Sequence, residues 1–192
     1  MRAISHAKRS LDVAVAVIAG FFAIPICMLI LVLIRMGSAG NPLFVQKRVG
    51  REGRVFRILK LRTMAASTAD LPSHEVAAMQ ITKLGRLLRR TKLDELPQLW
   101  NVLVGDMSLV GPRPCLESQV RLIEARRSHG LLSLVPGITG PAQLAGIDMS
   151  EPERLAEVEW AYFRQWTFRG DMLILLRTAF GGGAGDAALI SK

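Results

Sequence analysis

The longest apolar run of the chain lies near its N-terminus and covers residues 11–34, where Asp12 is the only charged residue. As a straight helix this run would measure about 36 Å, which exceeds the roughly 30 Å hydrocarbon core of a bilayer. Pro25 lies in the middle of the run, removes a backbone hydrogen-bond donor and is expected to kink the helix. The pattern therefore predicts a membrane-embedded helix that is kinked at Pro25.

Both flanks of the apolar run are basic. The residues that make them so are Arg2, Lys8, Arg9, Arg35, Lys47, Arg48, Arg51 and Arg54. Because positive charge favours the cytoplasmic side, both ends are expected in the cytosol. A re-entrant helix kinked at Pro25 satisfies this condition, whereas an ordinary signal anchor with a tolerated proline is the open alternative. A cleaved signal peptide is disfavoured, since the apolar run is too long for one.

Two short runs of β-forming residues, at 43–49 and 54–61, are separated by Gly50-Arg51-Glu52-Gly53, which predicts a β-hairpin. A loop is expected at 65–73. Apolar residues then recur at helical spacing, and the predicted helices cover 81–90, 93–103, 116–128, 151–166 and 171–180. Ser150 with Glu153 three residues later predicts a capping box. The fold class is therefore α+β: a mostly helical single domain with a small hairpin, an N-terminal re-entrant membrane helix and interfacial amphipathic helices.

The chain is both apolar and basic, which narrows the partners that it can have. Half of its 192 residues are hydrophobic, its formal net charge is +9 and its pI is about 10.5. These values favour an anionic membrane surface or a polyanionic substrate. Nucleic acid is not expected, because aromatic residues are only 6% and no common binding module is present. Cys27 and Cys115 indicate neither a disulfide framework nor a metal site.

Two adjacent carboxylates, Asp94 and Glu95, stand in a basic stretch with Arg89 and Lys92, where a helix is predicted to begin. Pro97 fits the first turn of that helix, where its missing N–H has no partner to lose. A helix N-terminus offers free N–H groups and the positive end of the dipole, so it suits a carboxylate and a phosphate nearby. The structural alternative is an N-cap Asp94 beside an exposed Glu95.

Two further basic motifs are candidates for contact with phosphate. Lys60 and Arg62 follow the second predicted strand, as phosphate ligands or as ordinary residues of a solvated strand edge. Pro112 and Pro114 enclose Arg113, and their rings hold this arginine on a stiff loop at low entropic cost. The loop is interpreted either as a nucleotide or phosphate clamp or as a structural loop with an exposed arginine.

Taken in chain order, these motifs resemble those of the bacterial sugar transferases, the monotopic phosphoglycosyl transferases, in their small single-domain type. The segments that carry the resemblance include Lys8-Arg9 with Asp12, Phe44-Val45-Gln46-Lys47-Arg48-Val49-Gly50, Lys60-Leu61-Arg62-Thr63-Met64, Leu93-Asp94-Glu95-Leu96-Pro97-Gln98, Gly111-Pro112-Arg113-Pro114 and Pro136-Gly137-Ile138-Thr139-Gly140. The resemblance implies an enzyme that moves a sugar-1-phosphate from a UDP-sugar to a polyprenol phosphate, such as undecaprenyl phosphate. UMP would leave, and the product would start the assembly of a surface glycan such as a lipopolysaccharide or exopolysaccharide.

The resemblance also implies roles for individual residues. Asp94 matches the nucleophile, which forms a covalent phosphosugar intermediate, and Glu95 matches its partner, which is implicated in holding Mg²⁺. Arg89 matches an arginine that contacts phosphate. The loop Pro112-Arg113-Pro114 matches the one associated with the uridine end of the substrate.

By the same resemblance, residues 1–37 form the membrane-embedded re-entrant helix, residues 38–180 the cytosolic catalytic part and residues 181–192 a flexible tail. A monotopic protein of the bacterial inner membrane is expected, with its active site on the cytosolic face and anionic lipids as partners. The sequence leaves open whether it forms a homo-oligomer. The alternative functions are a non-catalytic membrane-surface scaffold and a nucleotide-sugar hydrolase.

Two positions depart from the family pattern. Ile24 stands where the family often has a serine, whose hydroxyl can bond the backbone that is broken at the membrane proline. Ile147 replaces an arginine that could contact the substrate. We expect the second change to alter the sugar preference, or another arginine such as Arg154 or Arg164 to substitute.

Overall fold

The computed structural model describes residues 6–64 and 81–181 of the chain. The loop predicted at 65–73 lies outside these residues, as does the predicted tail apart from Gly181. The helices are α1 (His6–Gly37), α2 (Lys83–Thr91), α3 (Gln98–Val104), α4 (Val120–Ser128), α5 (Pro141–Leu144), α6 (Pro152–Arg164) and α7 (Phe168–Ala179). The strands are β1 (Leu43–Val49), β2 (Val55–Leu61), β3 (Ser108–Val110) and β4 (Gly137–Thr139).

Strands β1 and β2 form the predicted antiparallel hairpin, in which Leu43 lies opposite Leu61 and Val49 lies opposite Val55. A 3₁₀ turn at Arg51–Gly53 joins the two strands. Strands β3 and β4 form a parallel pair that the sequence pattern did not predict. Each of these strands has three residues, which is too short for an alternation of apolar and polar positions to be recognised in the sequence. The predicted α+β class is confirmed.

Helix α1 is continuous through Pro25 over 32 residues. Within residues 6–64 and 81–181 it is the one helix long and apolar enough to cross a membrane. The large apolar side chains that it leaves exposed are Val17, Ile18, Phe21, Phe22, Ile24, Ile26, Met28, Leu29, Val32, Leu33 and Met36. Such a face is typical of contact with lipid. The kink at Pro25 and the re-entrant path stay predictions.

Both halves of α1 also pack against the rest of the protein. At its N-terminal end, Arg9 Nη1 and Nη2 donate to the carbonyl oxygens of Val102 and Leu103, at 2.6 and 2.9 Å. At its C-terminal end, the helix contributes to an apolar cluster formed by Ile30, Ile34, Leu61 and Leu88. The same body of strands and helices therefore contacts α1 on either side of its proline.

Two buried charges near the start of α1 join it to distant segments. Lys8 Nζ lies 2.6 Å from Asp171 Oδ2 in α7, and both side chains are buried. The Asp12 carboxylate accepts hydrogen bonds from Ser108 Oγ at 2.7 Å and from the Leu109 N–H at 3.2 Å. Because buried charges are costly unless they are paired, these contacts account for the polar residues at this end of the apolar run.

Helix α3 is fixed to the hairpin by the side chain of Asn101, which is 2% exposed. Its Nδ2 donates to the Arg57 carbonyl at 2.8 Å, and its Oδ1 accepts from the Leu59 N–H at 3.1 Å. A single amide thus satisfies two backbone groups of β2 that have no partner strand on that side. This places the segment before α3 directly beside the end of β2.

The helix predicted at 93–103 begins differently from the expectation. A 3₁₀ turn at Leu93–Glu95 comes first, with the Glu95 N–H bonded to the Lys92 carbonyl at 3.2 Å. Helix α3 then starts at Gln98, with Pro97 as its N-cap residue. Since Pro97 has no N–H, it cannot donate to the Leu93 carbonyl, as a helix that began at Leu93 would require, and the α-helix begins only after the proline.

The predicted capping box at Ser150 is wrong. The Ser150 N–H and hydroxyl both bond to Asp148 Oδ1, which forms a local turn. Helix α6 therefore begins at Pro152, and its N-cap residue Glu151 makes no side-chain capping bond. Helix α4 also begins later than predicted, at Val120.

We expect Gly85→Ala to destabilise the fold. Gly85 lies in the first turn of α2, and a Cβ atom there would stand 2.0 Å from the Thr63 carbonyl oxygen. Overpacking of this kind costs about 1–3 kcal/mol or more, so the temperature of thermal unfolding should fall. Circular dichroism of the purified protein in detergent measures this temperature.

Gly20→Ala in α1 is the matched control, because nothing lies within 4 Å of an added Cβ atom at that position. Alanine is also the better helix former, so this variant should unfold at the wild-type temperature or above it. Equal unfolding temperatures for both variants would contradict the tight packing of α2 on Thr63.

Candidate active site

The two adjacent carboxylates lie in the 3₁₀ turn between α2 and α3. Helix α2 ends at Thr91, and Lys92 reverses the chain in the left-handed conformation, with φ of 58°. Asp94 is buried, with 7% of its surface exposed, and Glu95 is partly buried. The structural alternative, which expected an exposed Glu95, is therefore wrong on this point.

Glu95 Oε1 accepts hydrogen bonds from two cations on different segments. Lys60 Nζ, on β2, lies 3.0 Å away, and Arg113 Nη2, on the Pro-Arg-Pro loop, lies 2.9 Å away. All three side chains are largely buried, with 14–20% of their surface exposed. Charge-assisted bonds are stronger than neutral ones, and partial burial reduces their screening by solvent. The structure thus brings together three of the residues that the sequence singled out.

Lys92 is a further cation of this cluster, which the sequence analysis did not assign to the site. Burial lowers the pKa of its ammonium group, the Glu95 carboxylate opposes this shift, and Arg113 adds to it. Three cations, Lys60, Lys92 and Arg113, therefore lie around the Glu95 carboxylate, and Asp94 is its neighbour in the chain. The excess of positive charge favours an anionic ligand.

Arg89 holds a different position, on the last turn of α2. Its Nε donates to Thr63 Oγ1 at 2.9 Å, which ties α2 to the end of β2. Its Nη1 is buried and makes no hydrogen bond within the part of the chain that the structure describes. A buried donor of this kind is expensive to leave unpaired, which is consistent with a ligand that supplies the acceptor.

Arg62 lies directly after β2 and contacts the chain that follows α1. Its Nη2 donates to the carbonyl oxygen and the hydroxyl of Ser38, at 3.1 and 2.6 Å. The guanidinium thereby fixes the chain just after α1. Its predicted contact with phosphate stays a prediction.

The Pro-Arg-Pro loop is held by its backbone, which leaves the Arg113 side chain for the cluster. The Pro112 carbonyl accepts from the Gly137 N–H at 2.9 Å, and the Pro114 carbonyl accepts from Arg48 Nη1 at 3.3 Å. Gly111 allows the close approach, since a Cβ atom there would stand 2.5 Å from the Val135 carbonyl oxygen. The sequence predicted a stiff loop but not these anchors.

Ile147 is 8% exposed and packs in an apolar cluster. The buried members of this cluster are Val49, Cys115, Leu122, Ala142, Ile147 and Leu155. In this chain the position therefore belongs to the core. Neither proposed substitute forms a described contact with the carboxylates: Arg154 pairs with Glu151 at 2.9 Å, and Arg164 lies 5.0 Å from the centre of the Trp160 ring.

An apolar helix packed beside a cationic site with two carboxylates defines a membrane-associated protein suited to an anionic substrate. The chain is a member of the bacterial sugar transferase family, whose pattern matches residues 3–182. The family suggested by the sequence motifs is thereby confirmed.

Three relatives show how the similarity is distributed. A UDP-glucose:undecaprenyl-phosphate glucose-1-phosphate transferase of Caulobacter vibrioides is 38% identical over 188 residues, which cover 92% of this chain and 69% of the relative. The exopolysaccharide production protein ExoY of Sinorhizobium fredii is 32% identical over 89% of this chain and 83% of the relative. A UDP-galactose-lipid carrier transferase of Erwinia amylovora is 34% identical over 89% of this chain and 39% of the relative. The chain therefore spans less than half the length of some relatives and most of the length of others.

We expect Lys92→Gly to be more stable than Lys92→Ala. Both variants lose the ammonium group, and they differ only in the Cβ atom that opposes a positive φ at the end of α2. Glycine relieves this strain, and the expected gain is about 1 kcal/mol in the free energy of unfolding. Chemical unfolding of the two variants in one detergent measures the difference. Equal stability would show that Lys92 does not hold the left-handed conformation in solution.

Proposed function

We propose that the protein transfers a sugar-1-phosphate from a UDP-sugar to a polyprenol phosphate, undecaprenyl phosphate in bacteria, and so starts the assembly of a surface glycan. The observation that carries this proposal is the buried Asp94–Glu95 pair, with Lys60 and Arg113 bonded to Glu95 Oε1. The names of the relatives, which act on UDP-glucose and undecaprenyl phosphate or on UDP-galactose and a lipid carrier, support it.

In this proposal Asp94 is the nucleophile. Its carboxylate oxygen attacks the β-phosphorus of the UDP-sugar, and an aspartyl–phosphorus bond forms. The bond from that phosphorus to the bridging oxygen breaks, and its electron pair leaves with UMP. A phosphate oxygen of the polyprenol phosphate then attacks the same phosphorus, and the Asp94 carboxylate is released.

The cations around the pair lower the activation barrier of this step. A carboxylate is a poor nucleophile toward a diphosphate, because both reactants carry negative charge. Lys60, Lys92 and Arg113 offset that charge, and Arg89 Nη1 supplies a buried donor for a phosphate oxygen. The loop Pro112-Arg113-Pro114 would face the uridine end. Most of the rate enhancement would come from positioning and from fixed charges, as in other phosphoryl transfers.

Magnesium fits this donor set as a metal shared with the substrate. Within the described residues no three histidine, cysteine, aspartate or glutamate side chains form a closed metal site. Mg²⁺ commonly binds through one or two carboxylates together with substrate phosphates, and Glu95 beside Asp94 offers such a pair. Bound there, Mg²⁺ would supply positive charge to the diphosphate oxygens.

We further propose that the protein is monotopic in the inner membrane, with its site on the cytosolic face. The contacts of both halves of α1 with one body support this path, because a straight span would carry the two ends to opposite sides of the bilayer. The basic residues that flank the helix favour the cytosolic side and anionic lipids.

We expect both ends of α1 to be inaccessible from outside the cell. His6 and Ala39 are exposed residues on either side of the helix core, and each is changed to cysteine in a chain whose Cys27 and Cys115 are serine. In spheroplasts neither cysteine should react with a membrane-impermeant maleimide, and both should react after permeabilisation. Labelling of one end from outside would establish a spanning helix instead.

The transferase activity is tested by UMP release from purified protein in detergent. A panel of UDP-sugars is supplied with Mg²⁺, with and without undecaprenyl phosphate. We expect multiple turnovers only with the lipid, and a loss on the order of 10³-fold or more in Asp94→Asn, because the nucleophile is removed. Glu157→Gln, at an exposed position of α6, is the control and should retain the wild-type rate.

The same assay separates the alternative functions. Continuous turnover without the lipid would identify a nucleotide-sugar hydrolase. No UMP from any sugar, by protein with the wild-type circular dichroism spectrum, would favour the membrane-surface scaffold.

A further inference from the structure

Gln98, the first residue of α3, carries a polar group that has no partner within the described part of the chain. Only 2% of the residue is exposed. Its Nε2 is buried and forms no hydrogen bond within residues 6–64 and 81–181. A buried donor loses its hydration, and native structures rarely leave it unpaired, so this amide requires an explanation.

The position of Gln98 relative to the nucleophile, Asp94, offers an explanation for the unpaired amide. Leu96 and Pro97 have helical backbone angles, so the chain continues with little change of direction from the 3₁₀ turn into α3. Asp94 and Gln98 are four residues apart along this segment, whose first part is 3₁₀ and whose remainder has α-helical angles. Asp94 and Gln98 are both buried, and we take them to lie one turn apart on the inward face.

Asn101, the next buried polar residue of this segment, is a buried amide with a structural role and serves for comparison with Gln98. Both ends of its side chain are bonded, to the Arg57 carbonyl and to the Leu59 N–H. Gln98 has the same chemistry and a similar burial, yet its nitrogen lacks such a partner. We infer from this difference that Asn101 stabilises the fold, whereas the Gln98 amide is available to bind a ligand.

We propose that Gln98 Nε2 donates a hydrogen bond to a non-bridging oxygen of the phosphoryl group that Asp94 receives. The proposal rests on the proposed function. A phosphoryl group offers only acceptors, and the other unpaired group near Asp94 in the chain, Arg89 Nη1, is likewise a donor. Gln98 forms no covalent bond in this step and only donates a hydrogen bond.

A neutral donor has a specific advantage in this place. Lys60, Lys92 and Arg113 already supply positive charge beside Glu95, so the site does not require a further cationic side chain at position 98. An amide can orient the phosphoryl oxygen without adding charge. Its contribution should therefore appear more in kcat than in KM, because it acts where charge on the phosphoryl oxygens must be held in a fixed geometry.

The test compares Gln98→Met with Asn101→Leu, two replacements of a buried amide by an apolar side chain of similar size. For Gln98→Met we expect a fall of about tenfold or more in kcat for lipid-dependent UMP release, with little change in KM. Its unfolding temperature should equal or exceed that of the wild type, because an unpaired donor is removed. Asn101→Leu should unfold at a lower temperature, since it breaks two bonds to β2.

Gln98→Glu provides a second readout, which tests whether the side chain at position 98 lies beside the phosphoryl oxygen. Its carboxylic acid can donate a hydrogen bond, whereas its carboxylate repels the phosphoryl oxygen. The ratio of the variant rate to the wild-type rate should therefore rise as the pH falls. This ratio cancels the titration of groups that both proteins share.

Three outcomes overturn the proposal. Wild-type kcat in Gln98→Met together with a lowered unfolding temperature would make Gln98 a structural residue. A pH-independent rate ratio in Gln98→Glu would exclude the donated bond. Absence of UMP release by the wild type with every donor would remove the proposed function, and this result is distinct from the other two because it needs no variant.

Discussion

The rest of the site depends on one carboxylate oxygen, Glu95 Oε1, which is shared by Lys60 and Arg113. These residues come from β2, from the turn between α2 and α3, and from the Pro-Arg-Pro loop. The bonds of Asn101 to β2 bring the turn beside that strand, and the contact at Glu95 then fixes the charged side chains of the three segments relative to one another. Because the three side chains are mostly buried, loss of the carboxylate would remove a charged partner from both cations where solvent screens charge poorly.

The surrounding fold makes that arrangement rigid through small residues and fixed backbone angles. Gly85 lets α2 lie against Thr63, and the Thr63 hydroxyl in turn accepts from Arg89. Gly111 lets the Pro-Arg-Pro loop lie against the chain before β4. These close approaches involve backbone atoms, which cannot rotate away as a flexible side chain can. The cost of ordering the charged side chains is therefore met in folding and not when the substrate binds.

Sequence reasoning succeeded where a pattern extends over many residues and failed where a contact is local or long-range. The apolar helix and the hairpin follow from run length and alternation. That Lys60 and Arg113 both bond to one oxygen of Glu95 does not follow from spacing, because they are 35 and 18 residues away from it. The sequence motifs named all three residues as candidates but did not predict this contact. The capping box at Ser150 failed because Asp148 competes for the same groups. The missing bond of Gln98 is a property of packing, which no motif displays.

The ion pair between Lys8 and Asp171 joins residues that are 163 positions apart in the chain. During synthesis on the ribosome, Lys8 emerges among the first residues, and Asp171 only after the hairpin, the site and α6 have been made. The apolar helix can therefore enter the bilayer well before this ion pair can form. The bonds of Arg9 to α3 and of Asp12 to β3 become possible earlier, because those segments are translated before α7. The attachment of the helix to the body is thus completed in steps, and the contact with Asp171 comes last of the three.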